Sequence, residues 1–179
     1  MPHLLLPAAS GRSSCRACGR PIGRGELRFG ERLPNPHGEG DMTLWFHPVC
    51  AAFRRPEPFL QALGLTPGAV PCREALERAA RASLSHRRIP RIDGAERSPS
   101  GQARCRSCRE MIARGSWRIR LALAEGGRFS SGGYVHLGCS GTYFEADDLL
   151  QPILHFSRAL NEADREELER AYLRCSAAA

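Results

Sequence analysis

Cys15-Arg-Ala-Cys18 and, after an interval of 28 residues, His47-Pro-Val-Cys50 supply three thiols and one imidazole at a spacing that one ion can gather. Cys105-Arg-Ser-Cys108 and, after 27 residues, His136-Leu-Gly-Cys139 repeat the pattern 90 positions on, in the same ligand order. Three thiolates and an imidazole close a tetrahedral shell for Zn²⁺ and leave no open position. The pattern therefore predicts two structural Zn²⁺ ions, one on Cys15, Cys18, His47 and Cys50, the other on Cys105, Cys108, His136 and Cys139. A repeated site implies a repeated module, and 179 residues have room for two small ones. Such modules have modest cores, and metal affinity that becomes folding free energy offsets the shortfall.

Working outward from the ligands, each copy reads as the same series. A Ser-Gly turn, Ser10-Gly11 or Ser100-Gly101, leads to the first cysteine pair. β-prone segments follow at 26–29 and 116–121, then Gly-, Pro- and Asn-rich stretches at 30–41 and 125–133 that predict loops of about a dozen residues. Strands at 43–46 and 134–135 carry the chain back to the second half of each site. Each copy then ends in a helix, Arg73-Glu-Ala-Leu-Glu-Arg-Ala79 or Arg165-Glu-Glu-Leu-Glu-Arg-Ala171, so the whole module is duplicated. Asn161 is the expected N-cap of the second helix and Pro71 the first-turn proline of the first. The expected fold class is α+β: two small zinc-stabilised modules, 1–85 and 101–179, each a short antiparallel sheet with a C-terminal helix, joined by a flexible linker at 86–100.

All 26 basic residues are arginine, and the net charge is +7. Arginine bias with heavy Ala, Gly and Pro use is what a GC-rich genome writes, which suggests a bacterial source. Six arginines lie at 12–32 against Glu26 and Glu31, and six at 104–120 against Glu110. Both cysteine pairs thus sit in a positive field, the usual footprint of an anionic polymer. Cys72 and Cys175 are left over in unlike contexts, so thiolate ligation in a reducing compartment is the better reading of the cysteines. His3-Leu-Leu-Leu-Pro7 is too short for a secretory apolar region, and no run approaches membrane-spanning length. A soluble protein is expected, cytoplasmic at the bacterial nucleoid, or nuclear in a eukaryote.

Catalytic constellations are absent from the pattern. His3, His37, His86 and His155 are scattered over tail, loop, linker and C-terminal segment, and Gly126-Gly127 and Gly132-Gly133 lack the Lys and Ser/Thr of a phosphate-cradling loop. The chain is expected not to be an enzyme and to take no small-molecule substrate.

The segment Gly11-Arg-Ser-Ser-Cys-Arg-Ala-Cys18, with Ile22, Gly25-Glu-Leu-Arg-Phe29 and Trp45-Phe-His-Pro-Val-Cys50, resembles the PARP-type zinc finger, the break-sensing module of poly(ADP-ribose) polymerases and certain DNA ligases. The long interval between the cysteine pair and the His-x2-Cys half is specific to that family, and residues 101–139 repeat the match. The resemblance implies a small sheet closed by zinc that recognises DNA breaks by shape. It also implies that Arg12 and Arg28 fall on phosphate-binding positions, with Arg118 the counterpart of Arg28. Arg16 and Arg106 stand beside them. Gln102 replaces Arg12 in the second copy, and Tyr134-Val135 replaces Trp45-Phe46. For stacking on an exposed base pair the candidates are Leu33 and Met42 in the first copy and Leu123 and Phe129 in the second, with packing on the sheet as their other reading. Trp45 and Trp117 are assigned to the core. The expected function is recognition of strand breaks in DNA repair, and the alternative is a zinc-stabilised adaptor for a repair enzyme.

Overall fold

The computed structural model describes residues 2–35, 38–125 and 127–177. It divides into two compact units, Met1–Ser85 with Glu125–Phe129, and His86–Ala124 with Ser130–Ala179. The architecture is α+β, with one three-stranded antiparallel sheet in each unit.

In the first unit β1 (Leu4–Pro7), β2 (Leu27–Pro34) and β3 (Asp41–Phe46) lie in that order. Alternation along β2 assigns its faces. Phe29 pairs with Phe46 and Glu31 with Leu44 on the buried face, while Arg28, Gly30 and Arg32 belong to the other. The helices α1 (Pro48–Arg54), α2 (Pro56–Leu65) and α3 (Arg73–Ser85) follow. α1 and α2 each begin with proline, whose missing N–H costs nothing in a first turn. The Phe29 ring meets Phe46 at 6.0 Å and the edge of Phe59 on α2 at 5.5 Å. Glu31 is only 2% exposed, and Arg55, between α1 and α2, reaches it with two hydrogen bonds, one from Nε at 2.7 Å to Oε2 and one from Nη2 to Oε1. A carboxylate so buried is tolerated because it is paired.

The second unit repeats the order. A 3-10 turn (Ile89–Arg91) leads into β4 (Ile92–Arg97), then β5 (Trp117–Glu125) and β6 (Arg128–His136), of which Glu125, Arg128 and Phe129 group with the first unit, followed by α4 (Ser140–Phe144), α5 (Leu150–Phe156) and α6 (Glu162–Ala177). Its core gathers Ile92, Ile112, Ile119, Val135, Phe144, Ile153 and Leu168, all almost fully buried. The Tyr172 hydroxyl on α6 donates to Asp147 O at 2.5 Å and accepts from Leu149 N–H at 3.0 Å. Asn161 Oδ1 accepts from Asp164 N–H at 2.8 Å, the expected cap of α6.

Four expectations are corrected. Residues 86–100 are not a featureless linker: they carry the 3-10 turn and β4, in which Ile92 and Ala95 are buried. Its alternation is masked by a register shift between Ile92 and Ala95, where Gly94 at φ +90° lets Phe156 approach. The long loops are largely strand. β2 runs to Pro34 and β3 starts at Asp41, while β5 runs to Glu125 and β6 starts at Arg128. Gly30 sits inside β2 because Trp45 covers it; an added Cβ would lie 2.6 Å from the ring. Pro71 precedes α3 without entering it: Cys72, at φ +55°, accepts the first helical hydrogen bond from Leu76 N–H. Finally, among the described residues each unit has three α-helices after its sheet, not one. His37 lies outside the described residues, as does Gly126.

Candidate metal centres and arginine faces

Both cysteine pairs sit in a tight reverse turn of one design. Cys15 N–H donates to Arg20 O at 2.8 Å and Gly19 N–H to Cys15 O at 2.8 Å; Cys105 N–H donates to Glu110 O at 2.9 Å and Arg109 N–H to Cys105 O at 3.0 Å. Gly19 has φ +72°, and its counterpart Arg109 takes φ +70° without glycine's freedom. Each turn is then tied to the return strand, by Arg16 N–H to Trp45 O at 2.9 Å and by Arg106 N–H to Tyr134 O at 2.8 Å. That strand delivers the histidine.

The four donor atoms of each set, Cys15, Cys18, His47 and Cys50, and Cys105, Cys108, His136 and Cys139, lie within 4.8 Å of one another. His47 Nδ1 is 3.4 Å from Cys18 Sγ and 3.9 Å from Cys50 Sγ. His136 Nδ1 is 3.4 Å from Cys108 Sγ and 3.8 Å from Cys139 Sγ. Tetrahedral bonds of ordinary Zn–N and Zn–S length place nitrogen and sulfur about 3.5 Å apart. The residues therefore fit a tetrahedral ion. His47 Nε2 faces Pro21 O at 3.3 Å and His136 Nε2 faces Met111 O at 3.2 Å. Donation from Nε2 leaves the Nδ1 lone pair free for a metal, so a backbone carbonyl orients each ligand.

Crowding of the thiols acts on their protons. Hydrogen bonding to Cys15 and Cys18 pushes the Cys50 thiol up, and the Cys18 side chain raises Cys15. Burial pushes Cys139 up to about 12. Burial also works to raise Cys105, yet it lies lowered at about 7, because the backbone N–H groups of His136, Cys108 and Ser107 donate to its sulfur. A divalent cation would relieve the repulsion among three such sulfurs.

Around the first centre Arg12, Arg16, Arg20 and Arg24 are exposed; around the second, Arg104, Arg106, Arg109 and Arg114 are. Arg28 is half-buried on the outer face of β2. Its guanidinium lies 3.6 Å from the Trp45 ring centroid, Nη1 donates to Ser13 Oγ at 3.0 Å, and its buried Nε has no hydrogen-bond partner. Arg118 is different. Its side chain is 5% exposed, ion-paired to Glu96 and 3.6 Å from the Tyr134 ring. The resemblance makes Arg118 the counterpart of Arg28, but its charge is paired with Glu96 inside the unit. Trp45 is corrected, from core to half-buried platform for Arg28, whereas Trp117 is buried as expected.

Leu33 and Met42 are cross-strand partners near the end of β2 and β3, both half-buried. They extend the Phe29 face, opposite to that of Arg28. Leu123 and Phe129 are half-buried in β5 and β6. Sequence reasoning missed Trp45 as the platform and Glu96 as the partner of Arg118. The offset that relates the metal ligands would have aligned Glu96 with Leu6, had 92–97 been read as a strand.

No protein-family model matches the chain. Among curated proteins it is similar to rice (Oryza sativa subsp. japonica) poly [ADP-ribose] polymerase 1, 44% identical over 43 residues, 24% of this chain and 4% of the relative. Chicken (Gallus gallus) poly [ADP-ribose] polymerase 1 is 37% identical over 62 residues, 33% of this chain and 6% of the relative. The polynucleotide 3'-phosphatase ZDP of Arabidopsis thaliana is 26% identical over an alignment of 195 positions, 94% of this chain and 28% of the relative. The chain thus spans between 4% and 28% of the length of these proteins. Partial similarity to poly [ADP-ribose] polymerases, together with two Cys3His groups, is consistent with a PARP-type zinc finger.

Proposed function

We propose that this chain is a non-catalytic DNA-binding protein that recognises strand breaks, whether nicks, gaps or ends, by structure and not by sequence, and acts in DNA repair. In this reading each Cys3His group holds one structural Zn²⁺ that clamps the cysteine turn to the return strand. The observation that carries it is Arg28. Its guanidinium is half-exposed on an aromatic platform, with one buried N–H lacking an acceptor, beside the exposed arginines of the cysteine turn. Planar stacking and a fixed fork of donors suit a backbone phosphate. The Leu33–Met42 pair supplies an apolar step on the other face of the same hairpin, suited to a base pair laid bare by an interrupted stack. Relatives named as poly [ADP-ribose] polymerases and as a polynucleotide phosphatase support a nucleic-acid partner. Leu123 is the corresponding stacking candidate of the second copy, and Arg12, Arg16 and Arg106 the further phosphate contacts; Phe129 groups with the first unit, where its ring meets Phe46 edge-on at 6.4 Å.

The test is anisotropy titration of the metal-loaded protein against one hairpin-closed duplex, intact or with a single central nick. A tenfold preference for the nick, about 1.4 kcal/mol, supports break recognition. Equal affinity would reduce the reading to general electrostatic binding. No binding would favour a protein adaptor, for which α6 offers exposed Leu173 and an acidic first half.

A further inference from the structure

Across β1 and β2 Arg28 faces Leu6; across β4 and β5 the matching pair is Arg118 and Glu96. The two arginines share an aromatic neighbour and a serine acceptor, although Arg28 is half-buried and Arg118 buried, and the two serines are not equivalent in the repeat. Each guanidinium lies 3.6 Å from an aromatic centroid, Trp45 or Tyr134, and each offers Nη1 to a serine oxygen, Ser13 at 3.0 Å or Ser98 at 3.5 Å. One cross-strand residue differs, and it carries a charge. Glu96 Oε1 accepts from Arg118 Nε at 3.0 Å and Nη2 at 2.5 Å, while Oε2 lies 3.6 Å from Arg120 Nη1.

We propose that Glu96 is a charge lock that withholds Arg118 from backbone phosphate. At this sheet position only the first unit, through Arg28, then engages an anionic backbone. The inference rests on the nucleic-acid reading above and names a residue that makes the two units unequal at this sheet position. The physical reason is burial. Drawing out Arg118, 5% exposed, would break its two hydrogen bonds to Glu96 and leave that carboxylate, 31% exposed, with Arg120 alone, a cost that a solvent-screened phosphate contact does not recover. At Arg28 the strand opposite presents Leu6, which carries no charge.

The full-length metal-loaded protein is titrated against the nicked hairpin duplex over a range of salt concentrations. Each phosphate contact contributes about 0.9 to the slope of log affinity on log salt, and about fivefold in affinity near physiological salt. Arg28→Met should lose one contact by both measures, and Leu6→Glu, which installs the lock in the first unit, should lose the same. Arg118→Met should leave the slope unchanged, and Glu96→Leu should steepen it by one contact. Because Arg118→Met leaves Glu96 with Arg120 alone, the double variant Glu96→Leu/Arg118→Met, which removes one charge of each sign and keeps the net charge of the site, should also keep the original slope. A retained metal content of two per chain checks folding in each case. Loss of slope in Arg118→Met or in the double variant, equal to that in Arg28→Met, would overturn the lock while leaving DNA binding intact. Absence of DNA binding by the unaltered protein would instead overturn the nucleic-acid reading, and the lock with it.

Discussion

The Trp45 ring lies between Arg28, whose guanidinium stacks 3.6 Å from its centroid, and Gly30, where an added Cβ would come within 2.6 Å of its edge. Gly30 lets the ring lie flat on the strand, and the ring in turn holds the cation. Gly30→Ala and Trp45→Leu should therefore weaken DNA binding without removing a charge. A cation–π contact is worth about 0.5–1 kcal/mol at exposed sites, so a loss of about twofold to fivefold is expected. Metal analysis showing two ions per chain should accompany it. Unchanged affinity would mean that Arg28 needs no platform.

Metal removal should act on one unit at a time. Cys18→Ser should lower the metal content from two to one and unfold the first unit, and Cys108→Ser should do so for the second, since each centre ties its own turn to its own strand. Hydrogen exchange resolved by peptide localises the loss. Cobalt substitution identifies the ligands, because thiolate charge-transfer bands require sulfur coordination. Retained protection of both units in either variant would contradict the clamp.

Acidification should release metal, because the thiols must lose protons to bind it. Cys15 and Cys50 are raised by their neighbouring thiols, whereas in the second centre Cys139 is raised to about 12 but Cys105 is lowered to about 7. Protons compete harder for the first set. The first centre should therefore release more protons per ion bound near neutrality and lose its metal at a higher pH as the solution is acidified. Indicator-dye titration of the two single-centre variants measures this, and the reverse order would contradict the thiol environments described.

Two glycines make opposite expectations. At Gly94, with φ +90°, a Cβ would sit 2.5 Å from the backbone oxygen of Phe156, so Gly94→Ala combines backbone strain with a clash that no side chain can relieve. It should cost more than about 2 kcal/mol. Gly64 lies in α2 with nothing near the added methyl. Gly64→Ala should stabilise the first unit by about 0.5–1 kcal/mol. Denaturant unfolding of both variants checks the pair.

Loss of the Asn161 cap leaves the Asp164 N–H without its 2.8 Å acceptor. Asn161→Ala should cost about 1 kcal/mol in thermal or denaturant unfolding, and Asn161→Asp should be nearly neutral.

Ligand spacing, module duplication and the two long helices were legible because each depends on local pattern: fixed intervals between donor types, an internal repeat, and a capped amphipathic run. The glycine-rich stretches misled because glycine is read locally as a breaker. Gly30 is in a strand for a reason that lies on the neighbouring one, the close approach of Trp45. β4 was hidden by the register shift at Gly94, whose partner is Phe156, far along the chain.

The amino-acid sequence is sufficient for the donor sets, the α+β class and the excess of arginine, since these follow from residue type and interval. It does not say which arginines are spent. Arg28 and Arg118 occupy equivalent positions in the repeat, and only strand pairing sets Leu6 opposite one and Glu96 opposite the other. Charge is a property of the residue, but its availability depends on what the fold brings within hydrogen-bonding distance and how much water it leaves there.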